Sequence, residues 1–596
     1  MDPSVNESKS NGDAKENPSA EVKSNVDNQI VRVKTEFLVQ KGSSAVSVKP
    51  EGESRDDRDR RASNDGQQKN QPVGKKRPRP ELRGAPEFRL CTSVARGELC
   101  TFGESCKYAH DGLQYLSTKP ADLGPICSQY ESFGFCSNGL MCRFGAMHID
   151  YVNGKSLKRE IDQGGILERV QINVLSKELQ SILRKKKYAG GSEFNSTSYD
   201  QKVKLVDFRN KIYIAPLTTV GNLPFRRILK DFGADITCGE MAMANNLMNG
   251  QASEWALLRR HSSEDCFGIQ VAGNHTEVMS EVARVINNET TSDFVDLNCG
   301  CPIDILCDKG CGAALMTKPN KLIQIVQAMS SKLTTRQMTV KIRTGWSEND
   351  PNAHLLVPKI QAAANGRIAA IFIHGRSRLQ RYHRLANWDY IAQVAKSQNK
   401  DLPLIPIIGN GDIFSYEDWA GHQTLLSEKL EGDEESIGLC SCAMIGRGAL
   451  IKPWIPTEIK EKRYIDISAN ERLDMLKKFC SYGMEHWGSD QQGINTIRKF
   501  LLEWLSFLHR FVPLGLLEYG HASQNMSQRP PHYFGRCDLE TLLASSNSKD
   551  WVRISEMLLG PVEEGFDFTA KHKTNSYSPV DNLGGGSILE DSVSNG

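Results

Sequence analysis

A thiol fixed at the end of a buried strand can hand a proton to a substrate, and Asp296-Leu297-Asn298-Cys299-Gly300-Cys301-Pro302 has the residues for it. The apolar pair Phe294-Val295 runs into a Gly-Cys-Pro corner. Gly300 permits a sharp turn, and Pro302, with no N–H for the ladder, stops the strand. Parallel α/β folds do their chemistry at the C-terminal ends of strands. Cys301 is therefore the candidate general acid, while Cys299 and Cys307, outside the corner, read as packing residues. Polar residues close other apolar runs in the same way: Gln270, Lys341, His374-Gly375-Arg376, Asn410-Gly411-Asp412 and Gly446-Arg447. Gln270 and Lys341 suit the polar edge of a flat heteroaromatic ring. His374 and Arg447 suit a phosphate or the substrate, and the neighbouring glycines let backbone N–H groups approach an anion. Singly, each has a bland reading as an ion pair or a turn. Their recurrence at five strand ends favours a site.

Such residues converge only if the strands between them close. Apolar runs at 212–217, 236–241, 267–272, 294–300, 338–344, 370–376, 404–409 and 443–446 alternate with helical spacers. Near-continuous apolar runs are what strands buried on both faces require. This alternation predicts an α/β fold, a (β/α)8 TIM barrel over 205–455. A doubly wound sheet is the competitor, but no strand is followed by G-x-G-x-x-G opening a helix. A helical domain at 456–577 follows, in which Ile494, Ile497, Phe500, Leu501, Trp504, Leu505 and Leu508 share one helical face. Arg498, Lys499, His509 and Arg510 lie off that face and either contact phosphates or form a solvated surface.

A second chemistry lies ahead of the barrel. Cys91, Cys100, Cys106 and His110 have the form C-x8-C-x5-C-x3-H. Cys127, Cys136 and Cys142 repeat the cysteine spacing, with His148 five residues further on as the fourth candidate. Three thiolates and an imidazole suit tetrahedral zinc, and modules of this size need the metal to fold. Two zinc sites are expected, in fingers at 88–113 and 122–150. Phe102 and Tyr108 in the first, and Tyr130, Phe133, Phe135 and Phe144 in the second, either stack on unpaired bases or form small cores.

A chain of 596 residues exceeds one core. With 74 basic and 72 acidic residues, nucleic-acid affinity must come from local patches. Two are legible: Lys75-Lys76-Arg77-Pro78-Arg79-Pro80, closing a polar segment at 1–87 expected to be disordered, and Arg184-Lys185-Lys186-Lys187 in a linker at 151–204. A short disordered tail is expected at 578–596. No apolar run reaches bilayer length and no signal-peptide core is visible, so a cytoplasmic or nuclear location and reduced cysteines are expected.

Taken in order, Ala215-Pro216-Leu217-Thr218, Gly268-Ile269-Gln270-Val271-Ala272, Asp296 to Pro302, Val340-Lys341-Ile342-Arg343, Ile373-His374-Gly375-Arg376 and Gly409-Asn410-Gly411-Asp412 resemble the successive motifs of tRNA-dihydrouridine synthases. The paired CCCH fingers, with 495–513 and 529–561, resemble the eukaryotic class that modifies uridine 47 in the tRNA variable loop. The resemblance covers about 88–577 and implies FMN across the barrel mouth, recharged by NADPH or NADH. Pro216, Leu217 and Thr218 would lie against its ring, and Gln270 and Lys341 at its polar edge. His374, Asn410, Gly411, Asp412, Gly446 and Arg447 would surround its phosphate. Asn298 would hold the uracil with Arg376 beside the substrate, and Cys301 would protonate C5 after hydride reaches C6. The uridine must first be drawn out of folded RNA. tRNA is the implied partner, with messenger RNA a further candidate. A reductase of free pyrimidines fits the barrel but leaves the fingers without a task. A non-catalytic RNA-binding protein leaves Cys301, Lys341 and His374 without one.

Overall fold

The computed structural model describes residues 32–39, 89–159, 171–188, 203, 205–364, 366–380, 382, 384–518 and 530–571. The basic cluster at 75–80, Arg529, the tail at 578–596 and most of 1–87 and 189–204 lie outside the described residues.

All eight expected strands form. They are β1 (Ile212–Ile214), β2 (Ile236–Cys238), β3 (Cys266–Ala272), β4 (Phe294–Asn298), β5 (Gln337–Arg343), β6 (Ile368–His374), β7 (Ile407–Asn410) and β8 (Ala443–Ile445). Each pairs in parallel with its sequence neighbour, and β8 pairs with β1 (Ala443 with Ile212), so the sheet closes into a barrel. Helices return the chain outside: α1 (Leu223–Asp231), α2 (Thr276–Glu289), α3 (Pro319–Lys332), α4 (Ala353–Ala364), α5 (Trp388–Lys396), α6 (Tyr416–Lys429) and α7 (Arg447–Ile451). Only short helical turns, Ala244–Met248 and Ala252–Trp255, follow β2.

The period-two alternation of a strand explains both the continuous apolar runs and the site. Val295, Leu297, Val340, Ile342, Ile371 and Ile373 face out and merge with the helix core. Tyr213, Ile236, Phe294, Phe372, Ile408 and Met444 face in, and Phe208 plugs the floor beneath them. The Phe208 ring meets Phe294 and Phe372 edge-on at 5.6 Å each. One or two inward positions further along, the apolar floor becomes a polar mouth. Phe294 gives way to Asp296 and Asn298, and Phe372 to His374.

The chain leaves the barrel after Ile455–Glu461 and enters α8 (Ala469–Trp487), opened by a Ser468–Glu471 capping box. α9 (Gln491–Leu508) packs back on it, and α10 (Ser548–Leu559) on α9. Trp504 fixes this domain to the barrel: its Nε1–H donates to Leu450 O at 3.1 Å, and its ring meets Phe225 at 5.1 Å. Two segments carry more structure than composition suggests. Val33 and Leu38 bridge to Leu517 and Tyr533 of the helical domain. In the expected linker, Lys177–Arg184 is helical, and the Asn173 amide donates to Leu258 O and Thr291 O. The basic run 184–187 is exposed.

Candidate active site and metal centres

Strand register gathers the polar residues. Gln270 pairs with Asp296, Asn298 with Lys341, Arg343 with His374, His374 with Asn410, and Asn410 with Met444. On one side of the mouth they form an ordered chain of hydrogen bonds. The Asp296 carboxylate, fully buried, accepts from Thr339 Oγ1 and from Gln270 Nε2, both at 2.7 Å. Gln270 Oε1 is thereby turned to accept from Asn298 Nδ2 at 2.8 Å. Asn298 Oδ1 then accepts the Cys301 N–H at 2.9 Å and the Gly300 N–H at 3.2 Å. The Gly300-Cys301 corner thus hangs, through two amides, from a buried carboxylate. Burial pushes the Asp296 carboxyl up, against its two hydrogen bonds and the charge of Lys341. Burial likewise draws the Lys341 ammonium down, assisted by Arg343 and opposed by Asp296. Asn298→Ala should release the corner, and faster amide exchange at Gly300 and Cys301, which lose their acceptor, measures it.

The corner itself differs in one respect from the sequence expectation. Gly300 has no left-handed backbone, and a Cβ there would meet only ordinary contacts, the nearest being Lys341 O at 3.4 Å. The glycine that permits the corner is Gly312, at φ +59°, where a Cβ would lie 2.7 Å from Cys301 O. Arg343 completes the clamp, its Nε–H donating to Gly300 O at 2.6 Å and Nη1 to Ser377 O at 2.8 Å. Cys299 is fully buried and the Cys307 thiol points at Cys301 O from 3.5 Å, so both are packing residues.

The other side of the mouth is cationic, and there three expectations change. Arg376 is fully buried: Nε donates to Arg384 O at 2.9 Å, and Nη2 reaches both Asp412 oxygens at 2.7 Å. It is buried beneath the mouth, with its Nε and Nη2 spent on protein partners. Asp412, at φ +55°, uses its carboxylate on Arg376, on Arg447 at 3.6 Å and on the Ala386 N–H at 2.6 Å. A carboxylate repels phosphate, so the Asp412 side chain orients the arginines, which leaves its backbone as the part able to meet an anion. His374 Nε2 lies 3.4 Å from Arg376 Nη1. Burial, then Arg343, Lys341, Arg376 and Arg447, hold the imidazole well below its ordinary pKa. It is a neutral hydrogen-bonding ring, not a countercharge. Gly411, at φ +131° with Ala386 Cβ 2.6 Å from where its own Cβ would lie, brings the backbone close to these groups. Tyr382 lies across them, its ring centroid 3.7 Å from Arg447 Cζ. Burial pushes its phenol up, but Arg447, Arg343 and Arg376 outweigh that and hold it low.

Each cysteine set gathers with its histidine, so that one ligand atom from each residue lies within 4.8 Å of the others. The irregular spacing of His148 is resolved: it is fully buried with Cys127, Cys136 and Cys142, and neither ring nitrogen has a hydrogen-bond partner. Two orphaned nitrogens against three thiols fit zinc well. Phe102 and Tyr108 are exposed, whereas Tyr130 and Phe144 are core residues. In α9, Arg498 is buried, donating to Ser555 Oγ at 2.8 Å and Gly560 O at 2.7 Å, and the His509 ring lies 3.1 Å from Leu505 O. Neither is a phosphate contact; Lys499 remains exposed.

Residues 213–510 match the dihydrouridine synthase (Dus) family model, and residues 89–111 a CCCH-type zinc finger. A curated Xenopus laevis protein named tRNA-dihydrouridine(47) synthase [NAD(P)(+)]-like is 45% identical over 564 residues, covering 86% of this chain and 84% of its own. A human protein of the same name is 42% identical over 572 residues, covering 84% of each. The chain belongs to the dihydrouridine synthase family. It is accordingly an NAD(P)H-dependent oxidoreductase with a flavin.

Two donors test whether this synthase can hold that group. Arg447 Nη1 is buried with no hydrogen-bond partner, and the Lys341 ammonium stands at the mouth near Asp296, Arg343 and Cys301. A phosphate answers the first and an electron-rich ring edge the second, so the residues fit a flavin mononucleotide. The loop after β1 is held for the ring face: the Thr219 N–H, in left-handed backbone at φ +73°, donates to Glu240 Oε2 at 2.6 Å. Leu217 and Thr218 sit just before it, partly buried and exposed respectively. Asp296, Arg343, Glu240, Gly312 and Tyr382 are site residues that strand-end reading passed over. Asp296, Arg343 and Glu240 could have been found as charged residues within or beside otherwise apolar runs.

Proposed function

We propose that this enzyme reduces uridine to 5,6-dihydrouridine in tRNA, chiefly uridine 47, with messenger-RNA uridines as a second substrate class. Flavin mononucleotide, reduced by NADPH or NADH, supplies the hydride for C6 of the uracil. Cys301 gives its Sγ proton to C5, so that the ring gains one hydride and one proton across the C5–C6 bond. Asn298 has a second amide hydrogen for the uracil once Gln270 has taken the first. Lys341, Gln270 and His374 bind the flavin ring, and Arg447 with the Asn410–Gly411 and Gly446 backbone binds its phosphate. The observation that carries this reading is the Cys301 corner, clamped by Asn298 and Arg343 and standing within the field of Arg343 and Lys341. The first finger, with exposed Phe102 and Tyr108, and the basic run 184–187 are surfaces for the RNA. The basic cluster at 75–80 supports a nuclear as well as a cytoplasmic pool. No helix among the described residues is long and apolar enough to cross a membrane.

The test is to purify the full chain, record its visible spectrum for flavin, and assay dihydrouridine in tRNA lacking it, with NADPH and with NADH. Flavin absorbance with dihydrouridine at position 47 is the expected result. A flavin-loaded protein that leaves suitable tRNA unreduced would sink the proposal.

A further inference from the structure

The two Cys3His clusters differ in where they sit. The first lies at the surface: Cys91 is buried, Cys100 and Cys106 are partly exposed and His110 is exposed. Its apolar support is a small cluster in which Leu90 and Ala95 pack on Leu140 and Ile149 of the second finger, outside the core that holds the helical domain. All four residues of the second are buried, and Cys127, Cys136 and Cys142 join the same apolar core as Phe479, Met484 and Trp504 of the helical domain.

The second cluster is built around the turn between α8 and α9. Ser489 in that turn is fully buried. Its N–H donates to Asn138 Oδ1 at 2.9 Å, its carbonyl accepts the Arg143 N–H at 2.8 Å, and its hydroxyl lies 3.4 Å from Cys136 Sγ. Gln129 donates to the carbonyl of Met484, in the last turn of α8, which also accepts the Gly488 N–H at 3.0 Å, so the finger adds a second bond at the helix end. The Gly488 turn, at φ +106°, leaves a position where a Cβ would lie 3.2 Å from the Asn138 side chain. Residues in each of the three intervals between ligands, Gln129, Asn138 and Arg143, thus bond the backbone of a helical hairpin more than 330 residues away. Tyr130 and Phe144 face the core.

We infer that the second cluster is a structural zinc centre stapling the α8–α9 hairpin to the finger pair, and that reading RNA falls to the first cluster alone. This rests on the reading that the cluster holds zinc. A metal-dependent loop of this length has no fold of its own without the ion. Losing zinc there therefore removes the second donor to Met484 O and the partners of Ser489, and loosens α8 and α9, which carry Trp504 on the barrel. The first cluster packs on the second finger, Leu90 and Ala95 against Leu140 and Ile149, so the hairpin keeps its own contacts when that metal is lost.

The experiment uses the flavin-loaded full chain in four forms: unchanged, Cys136→Ser, Cys106→Ser and Gln129→Ala. Zinc content, hydrogen exchange over 479–500 and tRNA affinity are read for each. Two zinc ions in the unchanged chain and one in each cysteine variant are expected. Cys136→Ser should speed exchange over 479–500 by about tenfold or more, whereas Cys106→Ser should leave it unchanged and weaken tRNA binding. Gln129→Ala, which keeps all ligands, should retain two zinc ions and raise exchange at 484–490, so the proposal is testable even if Cys136→Ser fails to fold. Cys136→Ser that loses a zinc ion yet leaves exchange unaltered overturns the staple. An unchanged chain with one zinc ion, retained in Cys136→Ser, overturns the metal reading itself.

Discussion

Cys301→Ala is expected to keep its flavin, accept hydride from NADPH at the normal rate, and lose turnover on tRNA by about 10²–10⁴-fold, the span typical of removing a positioned general acid. The corner does not depend on the thiol for its shape. Its fixed points are the Cys301 and Gly300 N–H groups on Asn298 and the Gly300 carbonyl on Arg343, which alanine preserves. The loss therefore belongs to the proton. Burial pushes the thiol above its ordinary pKa, only partly offset by the Ile303 N–H and by Arg343 and Lys341. A raised pKa keeps an acid protonated as pH climbs, so the limb of the rate profile owed to Cys301 lies on the alkaline side of an ordinary thiol's. That limb should vanish in the alanine variant. Flavin reduction followed at its absorbance band, beside dihydrouridine yield across pH, separates the two half-reactions. Normal dihydrouridine formation by Cys301→Ala would remove the acid role.

The barrel was legible because strands buried on both faces leave apolar runs that nothing else in the chain imitates. The β1 run at 212–217 outlasts its ladder, Ile212–Ile214, because Ala215, Pro216 and Leu217 already belong to the mouth. That Gln270, Asn298 and Lys341 stand together at the mouth was legible for a related reason, since they are inward polar residues on strands with apolar floors, and Cys301 follows three residues past the end of β4. What escaped was decided between strands. Whether Arg376 meets a substrate or Asp412 depends on the neighbouring loop, and whether His374 is charged depends on four cations from other elements. Arg498 looks like a phosphate ligand in a helical plot, yet it bonds the end of α10 some 60 residues on. Val33 and Leu38 find partners nearly 500 residues away, beyond any local measure of hydropathy.

Asp412→Ala should be destabilising chiefly in the flavin-free protein. Its carboxylate is the counterion of a guanidinium with no exposure, and it also bonds the Ala386 N–H. Removing one partner from a buried pair costs about 3–5 kcal/mol, because the charge left behind has neither water nor an opposite charge. Arg447, 3.6 Å from the same oxygen, would lose part of its support as well. A phosphate changes this balance, since it brings negative charge to the Arg447 side of the cluster. Whatever binds only the folded state adds to its stability in proportion to its affinity. With Asp412 gone the cluster is more positive, so the flavin phosphate should be held more firmly relative to the weakened apoprotein. Melting of flavin-loaded and flavin-stripped Asp412→Ala, each against its unchanged counterpart, should show the larger loss without flavin. Equal losses would mean that Asp412 serves only the loop at Ala386 and has no part in setting the charge that the cofactor meets.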